Sequence, residues 1–150
     1  MSIFLHHMSA QPIDIVLFSA LKGFLTCKGI SASNALITLR IELPSEPDMV
    51  FSFKSIESGF FQIPEQRAKR SIGPIAHYAV HQSIVVKFEG EDFEIWRFLK
   101  SNDSLNPETN GEYTELGGKP VGVTCELTDE LRKVNENSFG MTSIQWQGLK

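Results

Sequence analysis

Two histidines, His77 and His81, stand four residues apart. On a helix that spacing places both imidazoles on one face, where they could share a metal ion. On a strand they also share a face, but about 13 Å apart, too far for one ion. Around them Tyr78, Val80, Ile84, Val86 and Phe88 alternate with Ser83, Lys87 and Glu89. This period of two favours the strand, so the histidines are expected to face solvent and no metal is assigned. The alternative is a small enzyme or a metal- or ligand-binding domain using His77, His81 and nearby carboxylates.

Glu89, Glu91, Asp92 and Glu94 crowd the turn that follows. Oxygen-rich clusters can hold calcium, but the EF-hand spacing is absent. Charged hairpin tips also keep strand edges from aggregating. The use that involves a partner is docking: Glu89, Glu91 and Asp92 would meet a basic surface, with Trp96 or Phe98 as an apolar anchor. A second charged stretch, Arg67, Lys69 and Arg70, stands out in an acidic chain and could meet phosphate or an acidic partner.

Cys27 and Cys125 lie far apart and fit no metal-knuckle or redox spacing. They read as buried thiols, with a disulfide between the first helix and a late strand as the alternative. His6 and His7 are adjacent, so on a strand they would point to opposite faces and not share an ion. There is no G-x-S-x-G, glycine-rich phosphate loop, paired CxxC, HExxH or RNP-like motif. No catalytic residue and no cofactor is assigned.

These residues need elements to hold them. Ser9 to Lys28 reads as an amphipathic helix. Ser9 is an N-cap, Pro12 sits in the first turn, and Ile13, Leu17, Ala20, Leu21, Phe24 and Leu25 recur at three and four. Gly29 supplies the C-terminal stop. The wide apolar stripe suits packing on a sheet, or a homodimer interface. Ala35 to Leu43 and Met49 to Ile56 alternate cleanly and form a hairpin across Pro44–Asp48. Pro64 to Pro74 reads as an exposed loop.

Tyr78–Phe88 and Phe93–Phe98 form the central hairpin, closed by a II′ turn at Gly90. On its return strand Phe93 and Ile95 are expected to face inward, and Trp96 and Phe98 to lie on the opposite face, which is expected to be covered here too. Residues 100–120 form a long polar loop, and residues 1–8 a short strand or loose arm. Val121–Leu127 reads as a strand, Asp129–Asn137 as a short helix capped by Thr128, and Ile144 and Trp146 mark a terminal strand.

The expected class is therefore α+β, in one domain over residues 1–150. A largely antiparallel sheet of two hairpins plus C-terminal strands would carry the N-terminal helix on one face.

The chain has 150 residues, 41% of them hydrophobic, enough for one substantial core. Its net charge of -4 gives no general attraction to nucleic acid or to an anionic membrane. Lys22 interrupts the one apolar stretch, Ile13–Cys27, which is too short to span a bilayer. A cytoplasmic protein is expected. The favoured role is non-enzymatic binding of another protein, as a small inhibitor, immunity protein or secretion chaperone.

Overall fold

The computed structural model describes residues 12–71, 79–100, 123–133 and 140–146. In chain order its strands are β1 (Pro12–Phe18), β2 (Leu21–Cys27), β3 (Ile30–Ser31), β4 (Leu36–Glu42), β5 (Met49–Lys54), β6 (Phe60–Ile63) and β7 (Gln66–Ser71). They are followed by β8 (Val80–Phe88), β9 (Glu91–Lys100), β10 (Val123–Glu126), β11 (Arg132–Lys133), β12 (Met141–Thr142) and β13 (Ile144–Trp146). Among the described residues there is no helix.

Among the described residues the strands form three sheets. β1 and β7 pair antiparallel. A second sheet runs β13-β10-β2-β3, with β6 also on β2. The third runs β11-β12-β9-β8-β4-β5. All described pairings are antiparallel except β10 with β2. One apolar core joins the sheets. Ile15 and Leu17 come from β1; Leu21, Leu25, Phe61, Ile63, Val123 and Ile144 from the second sheet; and Ile37, Leu39, Ile41, Ile84, Val86 and Ile95 from the third. This is sandwich packing, in which sheets bury one face each against the other.

The α+β expectation is therefore corrected to all-β. From Pro12 on, the stretch assigned to the first helix is two strands, β1 and β2, that belong to different sheets, and residues 9–11 lie outside the described residues. Its sequence supports both periods. Residues 15–18 are all buried, and a fully buried strand shows no alternation to distinguish it from a helix. In β2, Leu21 and Leu25 are buried while Lys22 and Phe24 are exposed, which is a period of two. Ile13, Ile15 and Val16 are β-branched, and Pro12 takes the first strand position, where a missing N–H is tolerated. Gly29 has φ +80, a conformation required equally by a helix C-terminus and by a tight hairpin turn.

The second expected helix is also replaced. Arg132 and Lys133 pair with β12, and the remainder of Asp129–Asn137 beyond Lys133 lies outside the described residues. Residues 1–8 and the loop after Lys100 lie outside them as well.

The Ala35–Leu43 alternation forms β4, with Ile37, Leu39, Ile41 and Leu43 buried. β5 returns antiparallel to it. The Pro64–Pro74 segment differs from the expected loop: Gln66–Ser71 is β7, hydrogen-bonded to β1.

The central hairpin carries a β-bulge. Ile84 pairs with Trp96 and Val85 with Glu94, leaving Ile95 as the extra residue on β9. A bulge shifts the alternation by one. Phe93 lies opposite Val86 before it, while Trp96 lies opposite Ile84 and Phe98 opposite Gln82 after it. Trp96 and Phe98 therefore lie on the same face as Ile84 and Gln82 rather than on the opposite one, and their rings stack with centroids 5.3 Å apart. The Ile95 carbonyl accepts hydrogen bonds from Thr142 Oγ1 at 2.8 Å and the Ser143 amide at 3.1 Å. The bulge thus anchors the C-terminal strands.

Candidate functional site

Two hairpin turns line one cleft. Cys27 pairs with Ile30 across Lys28 and Gly29, whose φ values are 53° and 80°. Phe88 pairs with Glu91 across Glu89 and Gly90, with φ values of 50° and 79°. Two consecutive positive φ values define a type I′ turn, whose twist matches that of the strands it joins. The acidic turn is therefore centred on Glu89–Gly90, one residue earlier than the expected II′ turn.

Between the turns lies an open cleft of about 560 Å³. Cys27, Lys28 and Ile30 line one wall, and Phe88, Glu89 and Glu91 the other. Ser31, Ser33 and Asn34 complete it. Ile30 is 73% exposed, an apolar side chain held at the rim.

The Lys28–Gly29 turn is held from behind by Glu126 on β10. The Glu126 carboxylate accepts hydrogen bonds from the Lys28 and Gly29 amides, each at 2.8 Å. It also accepts from Thr26 Oγ1 at 2.9 Å, and from the Thr128 hydroxyl at 2.6 Å and amide at 3.1 Å. Partial desolvation opposes its charge. The donors from Thr128, Gly29 and Lys28 outweigh that and hold the carboxyl at about 2. Glu126 is thus a fixed anion committed to the turn.

Cys27 sits within the field of these groups. Desolvation raises its pKa, as do Glu126, Glu89 and Glu91, while Lys28 acts in the opposite direction. The thiol stays protonated near neutral pH, which is the wrong state for a nucleophile. Cys125 is buried, its pKa pushed up to about 12 by desolvation against a 3.3 Å contact with Ser143 Oγ. Both cysteines are free.

The other expected site residues are dispersed. Asp92 is exposed opposite Lys87 and, unlike Glu89 and Glu91, does not line the cleft. Glu94 pairs with Arg97. Trp96 is 2% exposed, so its ring offers nothing to a partner. Arg67 bonds Asp14 at 2.9 Å and also Glu65. Arg70 grips Glu46 through two hydrogen bonds of 2.8 and 2.9 Å. These arginines already serve intramolecular carboxylates; Lys69 is exposed on the same strand.

His81 is exposed in a shallow depression of about 410 Å³, with Glu42 opposite it on β4 and Leu99 on β9. His77 lies outside the described residues. Among the described residues no three His, Cys, Asp or Glu side chains are grouped closely enough to hold a metal. Nor, among them, is any helix long and apolar enough to cross a membrane.

Cys27, Lys28 and Ile30 were not expected at a site, because their segment reads as the end of a helix. The signal that marks them is Lys28-Gly29 between Cys27 and Ile30, a two-residue turn between apolar-facing strands.

A family model matches residues 21–130, well over half the chain. The chain belongs to the family described as Domain of unknown function (DUF6795). The DUF6795 span takes in both I′ turns, the cleft between them and Glu126. No curated protein and no solved structure matches the chain.

Proposed function

We propose that this DUF6795 domain is a non-enzymatic protein-binding module. Its cleft would receive a partner segment that presents a lysine or arginine beside an apolar side chain. The observation that carries the reading is the composition of the walls: Glu89 and Glu91 stand beside Phe88, facing exposed Ile30. A buried apolar anchor supplies affinity, and opposed charges supply register and association rate. The rims are short I′ turns, one of them clamped by Glu126, so little order need be imposed on binding. A small inhibitor, an immunity protein or a secretion chaperone would each use such a surface. Two free thiols fit a reducing compartment, and we place the protein in the cytoplasm.

One observation favours a second reading. His81 faces Glu42 across neighbouring strands, a pairing that could bind a small polar ligand or move a proton.

The test is affinity capture from the native host with wild-type protein, Glu91→Lys and Ile30→Asp, followed by titration of the retained protein. The proposal expects one partner bound by the wild type, weakened at least about tenfold by either change and weakened by salt. A partner bound equally by all three proteins would remove the cleft from the function. Loss of a co-purifying small molecule in His81→Ala would favour the second reading.

A further inference from the structure

We infer that β5 is a self-association edge, pairing antiparallel with β5 of a second copy of this chain. Among the described residues β5 hydrogen-bonds only to β4 and closes one side of the third sheet. The amide of Ser55 donates to the Ala35 carbonyl at 3.1 Å, in the register that pairs the two strands. Hydrogen bonding alternates along an antiparallel strand. Met49, Phe51 and Phe53 therefore direct their backbone groups to β4, and Val50, Ser52 and Lys54 direct theirs outward.

Natural edges are usually protected by charge, proline or a bulge. β7, which among the described residues pairs only with β1, carries Arg67, Lys69 and Arg70. β5 reads Met-Val-Phe-Ser-Phe-Lys, with one charge at its end and no proline, and its pairing with β4 shows no bulge. Its side chains are also left incomplete on both faces. Val50 is 50% exposed on the outer face, while Met49, Phe51 and Phe53 are only half-buried on the inner one.

A second copy satisfies these features in one register. With Phe51 opposite Phe51 on the two-fold axis, Met49 faces Phe53 and Val50 faces Ser52. Asp48 of each copy, already bonded to Arg40 of its own chain at 2.9 Å, then lies opposite Lys54 of the other as a second cation. Val50 and Ser52 become the hydrogen-bonded pair, using the outward backbone groups of both. Phe51 and the Met49–Phe53 pairs fall at the positions where side chains approach more closely, so the half-buried apolar face continues across the junction. Shifting the partner by two residues keeps the hydrogen bonds but sets Lys54 against Val50 in one direction and, in the other, against Glu46, which Arg70 already holds through two hydrogen bonds beyond the end of the strand, so the first register is preferred. The contact is the same patch on both copies and closes at a dimer.

The test is sedimentation velocity over a micromolar-to-millimolar concentration series. The wild type should form a dimer. Ser52→Pro removes an outward N–H that the described monomer does not use, and should give a monomer with unchanged far-ultraviolet circular dichroism. Asp48→Lys and Lys54→Asp should each weaken the dimer about tenfold or more, the former also losing its bond to Arg40, and the double exchange should restore most of the lost affinity. That rescue does not depend on the proline variant folding. A wild type that stays monomeric throughout, a folded Ser52→Pro that still dimerises, or single charge changes that the double exchange fails to rescue would each overturn the inference.

Discussion

Gln82 accepts a hydrogen bond from the Trp96 indole at 2.9 Å, and through Nε2 it donates to the Leu17 carbonyl at 2.6 Å. One buried amide thus links β8 and β9 to β1, joining two sheets through the core. In the sequence Gln82 only interrupts an apolar alternation. Its role becomes visible once the bulge at Ile95 brings Trp96 to the same face.

Removing one side of such a contact leaves a buried group unsatisfied, whereas removing both costs less. Gln82→Met should destabilise the fold by roughly 2–3 kcal/mol, and Trp96→Phe by roughly 1–3 kcal/mol. The double variant should cost less than the sum of the two. Urea unfolding of all four proteins measures this, and strict additivity would mean the hydrogen bond contributes nothing.

Gly59 offers a sharper contrast between backbone and packing. It has φ +81, and an added Cβ would fall 2.3 Å from the Leu25 carbonyl oxygen. Its carbonyl accepts the Leu25 amide at 2.9 Å, at the point where β6 gives way to β3 along β2. Gly90 has a similar φ of 79° but nothing within 4 Å of the same added atom. Gly90→Ala should therefore cost only the left-handed penalty, about 1–2 kcal/mol. Gly59→Ala must also displace backbone and should lower the melting temperature considerably more. Equal shifts would mean that the close approach at Leu25 relaxes freely.

The strands read correctly from sequence are those with one face in the core and one in solvent. Ile37, Leu39 and Ile41 alternate with Thr38, Arg40 and Glu42 because β4 has that environment. Where both faces are covered, as at residues 15–18, the alternation disappears and helix and strand look alike. The bulge had no local signature either, since its extra residue is an ordinary isoleucine whose carbonyl is satisfied some fifty positions away by Thr142 and Ser143. Of the site, Glu89 and Glu91 were legible as a charged tip. Lys28 and Ile30 join them through the meeting of two sheets, and Arg67 and Arg70 are engaged by Asp14 and Glu46 through contacts that no short-range pattern encodes.

Glu126 makes a pH-dependent contribution. Its carboxyl is held near 2 in the folded protein, below the ordinary value of 4.5. A depressed carboxyl stabilises the fold fully above its unfolded pKa, and that stability is lost as pH falls toward the folded one. The contribution should be level above about pH 5.5 and disappear between about pH 5 and pH 2. Its size should be on the order of 2 kcal/mol, less than the unscreened shift implies, because the turn is open to water. Denaturant titrations of wild type and Glu126→Gln across this range should converge as pH falls. Curves that stay parallel would show that the clamp does not depend on the charge.

Cys27 can report on the cleft without a known partner. Its thiol pKa is raised first by desolvation, then by Glu126, and also by Glu89 and Glu91, with Lys28 opposing them. Alkylation by iodoacetamide follows the thiolate, so its pH midpoint should lie above the ordinary 9.0. Glu89→Gln or Glu91→Gln removes a negative charge and should speed alkylation at a fixed pH below the midpoint. Lys28→Gln should slow it. Each effect should be on the order of twofold, because the charges act across exposed turns, and should shrink as salt is added. Cys125, buried and pushed to about 12, should stay unmodified until the protein unfolds. If the charge changes on β8–β9 leave the Cys27 rate unaltered while Lys28→Gln shifts it, the two turns are too far apart in solution to form one cleft. The binding surface would then be sought on a single hairpin.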